Sequence, residues 1–66
     1  MDVIVNDQPR QLPAGTTVAQ LLAALELRAA HVAVEVNLQL VPRADHPRHV
    51  LAAGDRVEIV TLVGGG

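Results

Sequence analysis

56-RVEIVTLV-63 is the longest strand candidate in the chain, and its alternation decides where it sits. Side chains in a strand point to opposite faces with a period of two. Val57, Ile59, Thr61 and Val63 therefore share one face, while Arg56, Glu58, Val60 and Leu62 share the other. The first face is apolar almost throughout. The second begins charged and turns apolar toward its end. So much apolar surface does not suit the periphery of a sheet, which places this segment centrally, beside the first strand. Gly54-Asp55, a turn dipeptide, leads into it, and three glycines, 64-GGG-66, follow it.

Upstream, 32-VAVEVN-37 sets Val32, Val34 and Val36 against Ala33 and Glu35, again a period of two. Asn37 starts a turn, and 39-QLVP-42 reads as a short strand stopped by Pro42. At the N-terminus, 2-DVIVN-6 meets the turn composition 6-NDQP-9, and 8-QPRQL-12 returns as a second strand. Pro9 has no N–H, so that strand lies at an edge or keeps Pro9 outside the ladder.

The helix signal lies in 13-PAGTTVAQLLAAL-25. Thr17 precedes Gln20 by three residues, the spacing of a capping box. Val18, Leu21, Leu22 and Leu25 follow at i, i+3, i+4 and i+7, one stripe of a helix running from Val18 to about Glu26. Arg43 to His49 is polar and irregular. The order is strand, strand, helix, strand, strand, strand. A helix between hairpins must cross one face of the sheet, because its leucine stripe needs a partner surface. The expected architecture is α+β, a small mixed sheet packed on one main helix. With that helix on the Val57 face, Val60 and Leu62 lie on the open side, as an apolar patch suited to docking, against the plainer reading of scattered surface apolar residues.

Composition bounds the rest. Sixty-six residues make one domain, and a chain this short buries only about 60% of its unfolded surface. Cysteine is absent, which excludes disulfides, thiolate metal sites and cysteine nucleophiles. Aromatic residues are absent too, so the core is Val, Leu, Ile and Ala. A net charge of −2, with no lysine and five scattered arginines, does not make a nucleic-acid footprint. No apolar run approaches membrane-spanning length and no signal-peptide succession opens the chain, so a cytoplasmic protein is expected.

Other candidates give weaker signals. His46 and His49 are three apart, but Pro47 stands between them and no third ligand is in view, so they read as solvated loop residues and no metal is expected. His31 sits at a helix-to-strand junction. Gly15 and Gly54 read as turn residues. Arg43 and Arg56 are candidate contacts to an acidic groove on a partner, against the plainer reading of solubility charge. No catalytic triad, acid–base carboxylate pair or cofactor cradle is visible.

Three stretches, 16-TTVAQLL-22, 34-VEVNLQLVPR-43 and above all 54-GDRVEIVTLVGGG-66, make the chain resemble the ThiS family of sulfur carriers in thiamine biosynthesis, which are ubiquitin-like β-grasp proteins. The resemblance runs from end to end, with Asn37 and Pro42-Arg43 in register. It implies a β-grasp domain over residues 1–63 and a flexible glycine tail over 64–66. The family motif is a Gly-Gly terminus, so Gly65 and Gly66 carry it and Gly64 is additional.

The resemblance also implies that Gly66 is adenylated by a ubiquitin-activating-like adenylyltransferase using ATP. Sulfur from a cysteine-derived donor then makes a thiocarboxylate, which is delivered to a thiazole synthase. On this reading the chain is a protein co-substrate, not an enzyme, with no bound cofactor. Gly64, Gly65, Val60 and Leu62 meet the partners. Alternatives within the fold are a carrier for another acceptor such as molybdopterin, a ubiquitin-like modifier, or an interaction module with an inert tail.

The chemistry suits glycine. A terminal carboxylate, with a pKa of about 3.5, is an anion at neutral pH and a poor electrophile, so it needs a leaving group before sulfur can attack. Three extended residues reach roughly 10 Å and, lacking Cβ, pass a narrow channel.

Overall fold

The computed structural model describes residues 1–62 and forms, in chain order, β1 (Asp2–Val5), β2 (Gln8–Gln11), α1 (Val18–Ala24), β3 (Val32–Val36), β4 (Gln39–Val41) and β5 (Arg56–Thr61). Short 3-10 turns occupy Ala29–His31 and Arg43–Asp45. The strands make one sheet ordered β2-β1-β5-β3-β4. β5 is central, as its apolar content requires, and runs parallel to β1 with Val5 beside Val57. Its other neighbour, β3, is antiparallel, with Val34 beside Ile59. β2 is an edge strand, so the missing N–H of Pro9 costs no interior ladder bond.

α1 begins on the capping box. The Thr17 hydroxyl accepts from the Gln20 N–H at 3.1 Å, and the Gln20 side chain accepts from the Thr17 N–H at 2.9 Å. The helix ends at Ala24, two residues short of the expected end. Glu26 takes a left-handed φ of 59°, and the Leu27 and Glu26 N–H groups bond the Leu22 and Ala23 carbonyls at 2.9 and 3.0 Å. These two bonds form a Schellman closure, normally built on glycine. Val18, Leu21 and Leu22 are buried, and Leu25 packs half-buried beside them. Together with Val3, Val5, Val34, Val36, Val57 and Ile59 they form an aliphatic core between helix and sheet.

Both hairpins turn on two residues with positive φ, Asn6 (49°) and Asp7 (66°), then Asn37 (51°) and Leu38 (69°). Two left-handed residues make the mirror-image turn whose twist matches that of the strands. Leucine is a poor occupant of that conformation, and Leu38 is 87% exposed, so it buries almost nothing in return. Leu38→Gly is expected to stabilise the domain by about 0.5–1 kcal/mol, read as a rise in the urea midpoint at unchanged m-value.

β5 stops at Thr61, two residues before the expected end of the strand. The Leu62 N–H still donates to the His31 carbonyl at 2.8 Å. Val63, the boundary after it and the expected tail of Gly64, Gly65 and Gly66 lie outside the described residues.

Candidate functional site: the open sheet face and the end of β5

Two asparagines position β5. β1 ends at Val5, opposite Val57, while β5 runs on to Thr61, and the Asn6 side chain takes over. Its Oδ1 accepts from the Ile59 N–H at 2.7 Å, its Nδ2 donates to the Ile59 carbonyl at 3.1 Å, and its own N–H donates to the Val57 carbonyl at 2.8 Å. The amide imitates a strand residue and extends the ladder. Asn37 does the same at the start of β5: Oδ1 accepts from the Arg56 N–H at 3.0 Å and Nδ2 donates to Asp55 at 3.0 Å. Asp55 in turn accepts from the Ala52 N–H, which closes the approach loop.

With β5 held, its outer face is defined. Helix α1 covers Val57 and Ile59, while Val60 and Leu62 remain 57% and 51% exposed. The expected open-side placement of these two residues therefore holds in the structure. Leu40 of β4, not singled out from the sequence, adds a third apolar side chain, 65% exposed. It reaches this face because β4 pairs Leu40 with Glu35, and Glu35 stands opposite Glu58. Alternation gives the face of each residue, but only the pairing register shows that they share a row.

The two arginines part company. β4 and β5 run in the same direction, since each is antiparallel to β3. Arg43, exposed just beyond β4, thus leaves the sheet at the same end as Thr61, two strands away. Arg56 opens β5 at the opposite end, about 16 Å of strand from Thr61. Its guanidinium bonds Asp7 at 2.8 Å, on an exposed turn.

One sequence expectation is corrected. His46 is not a solvated loop residue but is 3% exposed. Its Nε2 donates to the Val41 carbonyl at 3.1 Å, and Nδ1 has no partner among the described residues. The segment around it plugs the start of α1. The His46 carbonyl accepts from the Ala19 N–H and the His49 carbonyl from the Val18 N–H, both at 3.0 Å. With Gln20 satisfied by Thr17, no donor of the first turn is left open. The polar, aperiodic run 43–49 gives no hint of this in sequence, because the partner groups are backbone carbonyls. Gly15 and Gly54, with φ of 88° and 85°, are the turn residues expected. Among the described residues no three His, Asp or Glu side chains gather as metal ligands would, and no helix is long and apolar enough to cross a membrane.

A mixed sheet with its last strand at the centre, grasping one helix and leaving one face open beside that strand's exit, defines a ubiquitin-like β-grasp protein. The ThiS family matches residues 3–66. The sulfur carrier protein ThiS of Escherichia coli (strain K12) is 38% identical over 66 residues, covering all of both chains. A thiazole synthase of Paramagnetospirillum magneticum is 38% identical over the same length, which is all of this chain and 20% of that protein. The crystal structure of the thiamine biosynthesis protein (ThiS) from Geobacter metallireducens superposes with a TM-score of 0.86 at 32% identity, covering both chains completely. The chain belongs to the ThiS family.

Proposed function

We infer that this chain is a sulfur carrier, bearing activated sulfur as a thiocarboxylate on Gly66 and donating it to thiazole formation in thiamine biosynthesis. The observation that carries this is the end-to-end likeness to a sulfur carrier, with the family match reaching through Gly65 and Gly66. The protein acts as a co-substrate and not as a catalyst. Its carboxylate attacks the α-phosphorus of ATP on a ubiquitin-activating-like adenylyltransferase, which releases pyrophosphate and leaves an acyl-adenylate. A sulfur nucleophile from a cysteine-derived donor then attacks the acyl carbon and expels AMP. When that nucleophile is a persulfide, the product is an acyl disulfide. A thiol then attacks the donor's sulfur, forming a new disulfide with the donor and releasing C(=O)–S⁻ on Gly66. The cofactor demand is met by the partner's ATP, and the carrier itself binds none.

The structure supports this division of labour. Among the described residues the buried core spans Val3 to Ile59, and Gly64, Gly65 and Gly66 have no side chain with which to add to it. Val60 and Leu62 supply apolar contact next to the tail, and Arg43 stands at the same end of the sheet for an acidic or phosphate-bearing surface. Arg56, committed to Asp7 at the far end, has the weaker case.

Intact-mass analysis after incubation with the adenylyltransferase, ATP and a sulfide source tests the reading. A chain ending at Gly66 that exchanges one oxygen for sulfur supports it. Attachment to other proteins would identify a modifier, an unchanged mass an inert tail, and a thiocarboxylate drawn down only by a molybdopterin-forming acceptor a carrier of the other pathway.

A further inference from the structure

The open face holds a charge pair that the carrier reading does not use. Glu35 of β3 and Glu58 of β5 stand directly opposite each other. Side chains so placed are within about 5 Å at Cβ, and like charges there repel. The pair sits among apolar neighbours: Leu40 beside Glu35 in the same row, Ala33 opposite Val60 in the next, and Leu62 beyond. Glu58 is half-buried. The cation closest along β5 is Arg56, and its guanidinium is held by Asp7. Among the described residues, no ion pair or side-chain hydrogen bond includes Glu35 or Glu58.

We propose that this row receives an arginine of the thiazole synthase, whose apolar surface lies on Leu40, Ala33, Val60 and Leu62 while the guanidinium bridges the two carboxylates. The proposal rests on the carrier reading and names the contact by which the synthase recognises the carrier. A guanidinium suits the gap because it is planar and presents donors along two edges, one for each carboxylate. Its arrival removes the repulsion that the free chain bears, so binding gains both a new attraction and the relief of a cost. A symmetric second copy is the wrong occupant, since it would set four carboxylates together at the centre of an apolar contact.

The choice of the synthase comes from the Paramagnetospirillum magneticum protein, in which a stretch like this whole chain is part of a thiazole synthase polypeptide. Covalent linkage raises the effective concentration of carrier at synthase without any added contact. A separate chain has no such help and must find its partner by surface complementarity, steered by charge.

The test is binding of the unmodified chain to the cognate thiazole synthase by calorimetry at about 50 and about 300 mM NaCl, conditions that shorten the screening length about 2.5-fold. The wild type should weaken with salt. The double variant Glu35→Gln/Glu58→Gln should bind about 10–100-fold more weakly at low salt, with little further salt dependence. Its Tm in the free state should rise by about 2–5 °C as the repulsion is removed. Glu26→Gln, a charge change at the end of α1, should match the wild type in binding.

Equal binding and equal salt dependence for wild type and double variant would overturn the proposal. So would absence of wild-type binding to the synthase, or a loss confined to the adenylyltransferase. The carrier reading stands or falls separately, on the oxygen-for-sulfur exchange in the wild-type mass.

Discussion

Alanine at position 6 is expected to destabilise the domain by about 2–4 kcal/mol and to lower its Tm by roughly 10–20 °C. The Asn6 amide is the only side chain among the described residues that bonds both the N–H and the carbonyl of one β5 residue, Ile59. Removing it leaves two part-buried backbone groups facing the end of β1 with no strand to pair them. An unmet buried polar group costs about 1–3 kcal/mol, and alanine tolerates a φ of 49° less well than asparagine does. A single core of this size rarely has more than about 3–5 kcal/mol in hand, so most of the stability margin is at stake.

Two further variants separate these contributions. Asn6→Gly relieves the backbone but not the lost bonds. Asn6→Asp keeps an acceptor for the Ile59 N–H while setting an oxygen against the Ile59 carbonyl. Both should unfold between alanine and wild type in a urea titration. Alanine as stable as wild type would show that β5 needs no clamp.

The second large effect is chemical. Adding one residue after Gly66 moves the carboxylate by about 3.3–3.6 Å, and a misplacement of even 1 Å at a reacting centre can cost about 100-fold. The extended chain should be adenylated at least about 100-fold more slowly, measured as ATP–pyrophosphate exchange with the cognate adenylyltransferase. Gly66→Ala keeps the position but places a methyl beside the reacting carbon, and a loss of about 10–100-fold is expected. Neither change alters a core side chain among the described residues, so both variants should melt with the wild type. Adenylation at the wild-type rate in the extended chain would remove Gly66 as the reacting residue.

These two residues also mark how differently the site can be read. Gly66 comes from the family motif at the end of the sequence and needs no geometry. Val60 and Leu62 come from alternation along β5 once the helix is assigned to the other face. Asn6 reads in sequence only as a turn former. Its second role, bonding a residue 53 positions away, has no local signature. His46 escaped for a related reason: its burial follows from carbonyls and a helix start supplied by separate segments.

The amino-acid sequence by itself determined the element order, the start of α1 at Thr17 and the central place of the last strand. Each follows from a local property: a period of two or of 3.6, a cap spacing, an excess of apolar side chains. The tertiary structure alone decided that Glu35 faces Glu58, that Leu40 joins their row, that Arg56 is tied to Asp7 and that Asn6 clamps Ile59. Alternation fixes the face a side chain occupies but is blind to register. A slip of two residues would keep every hydrophobic residue inside while changing every neighbour across the strands.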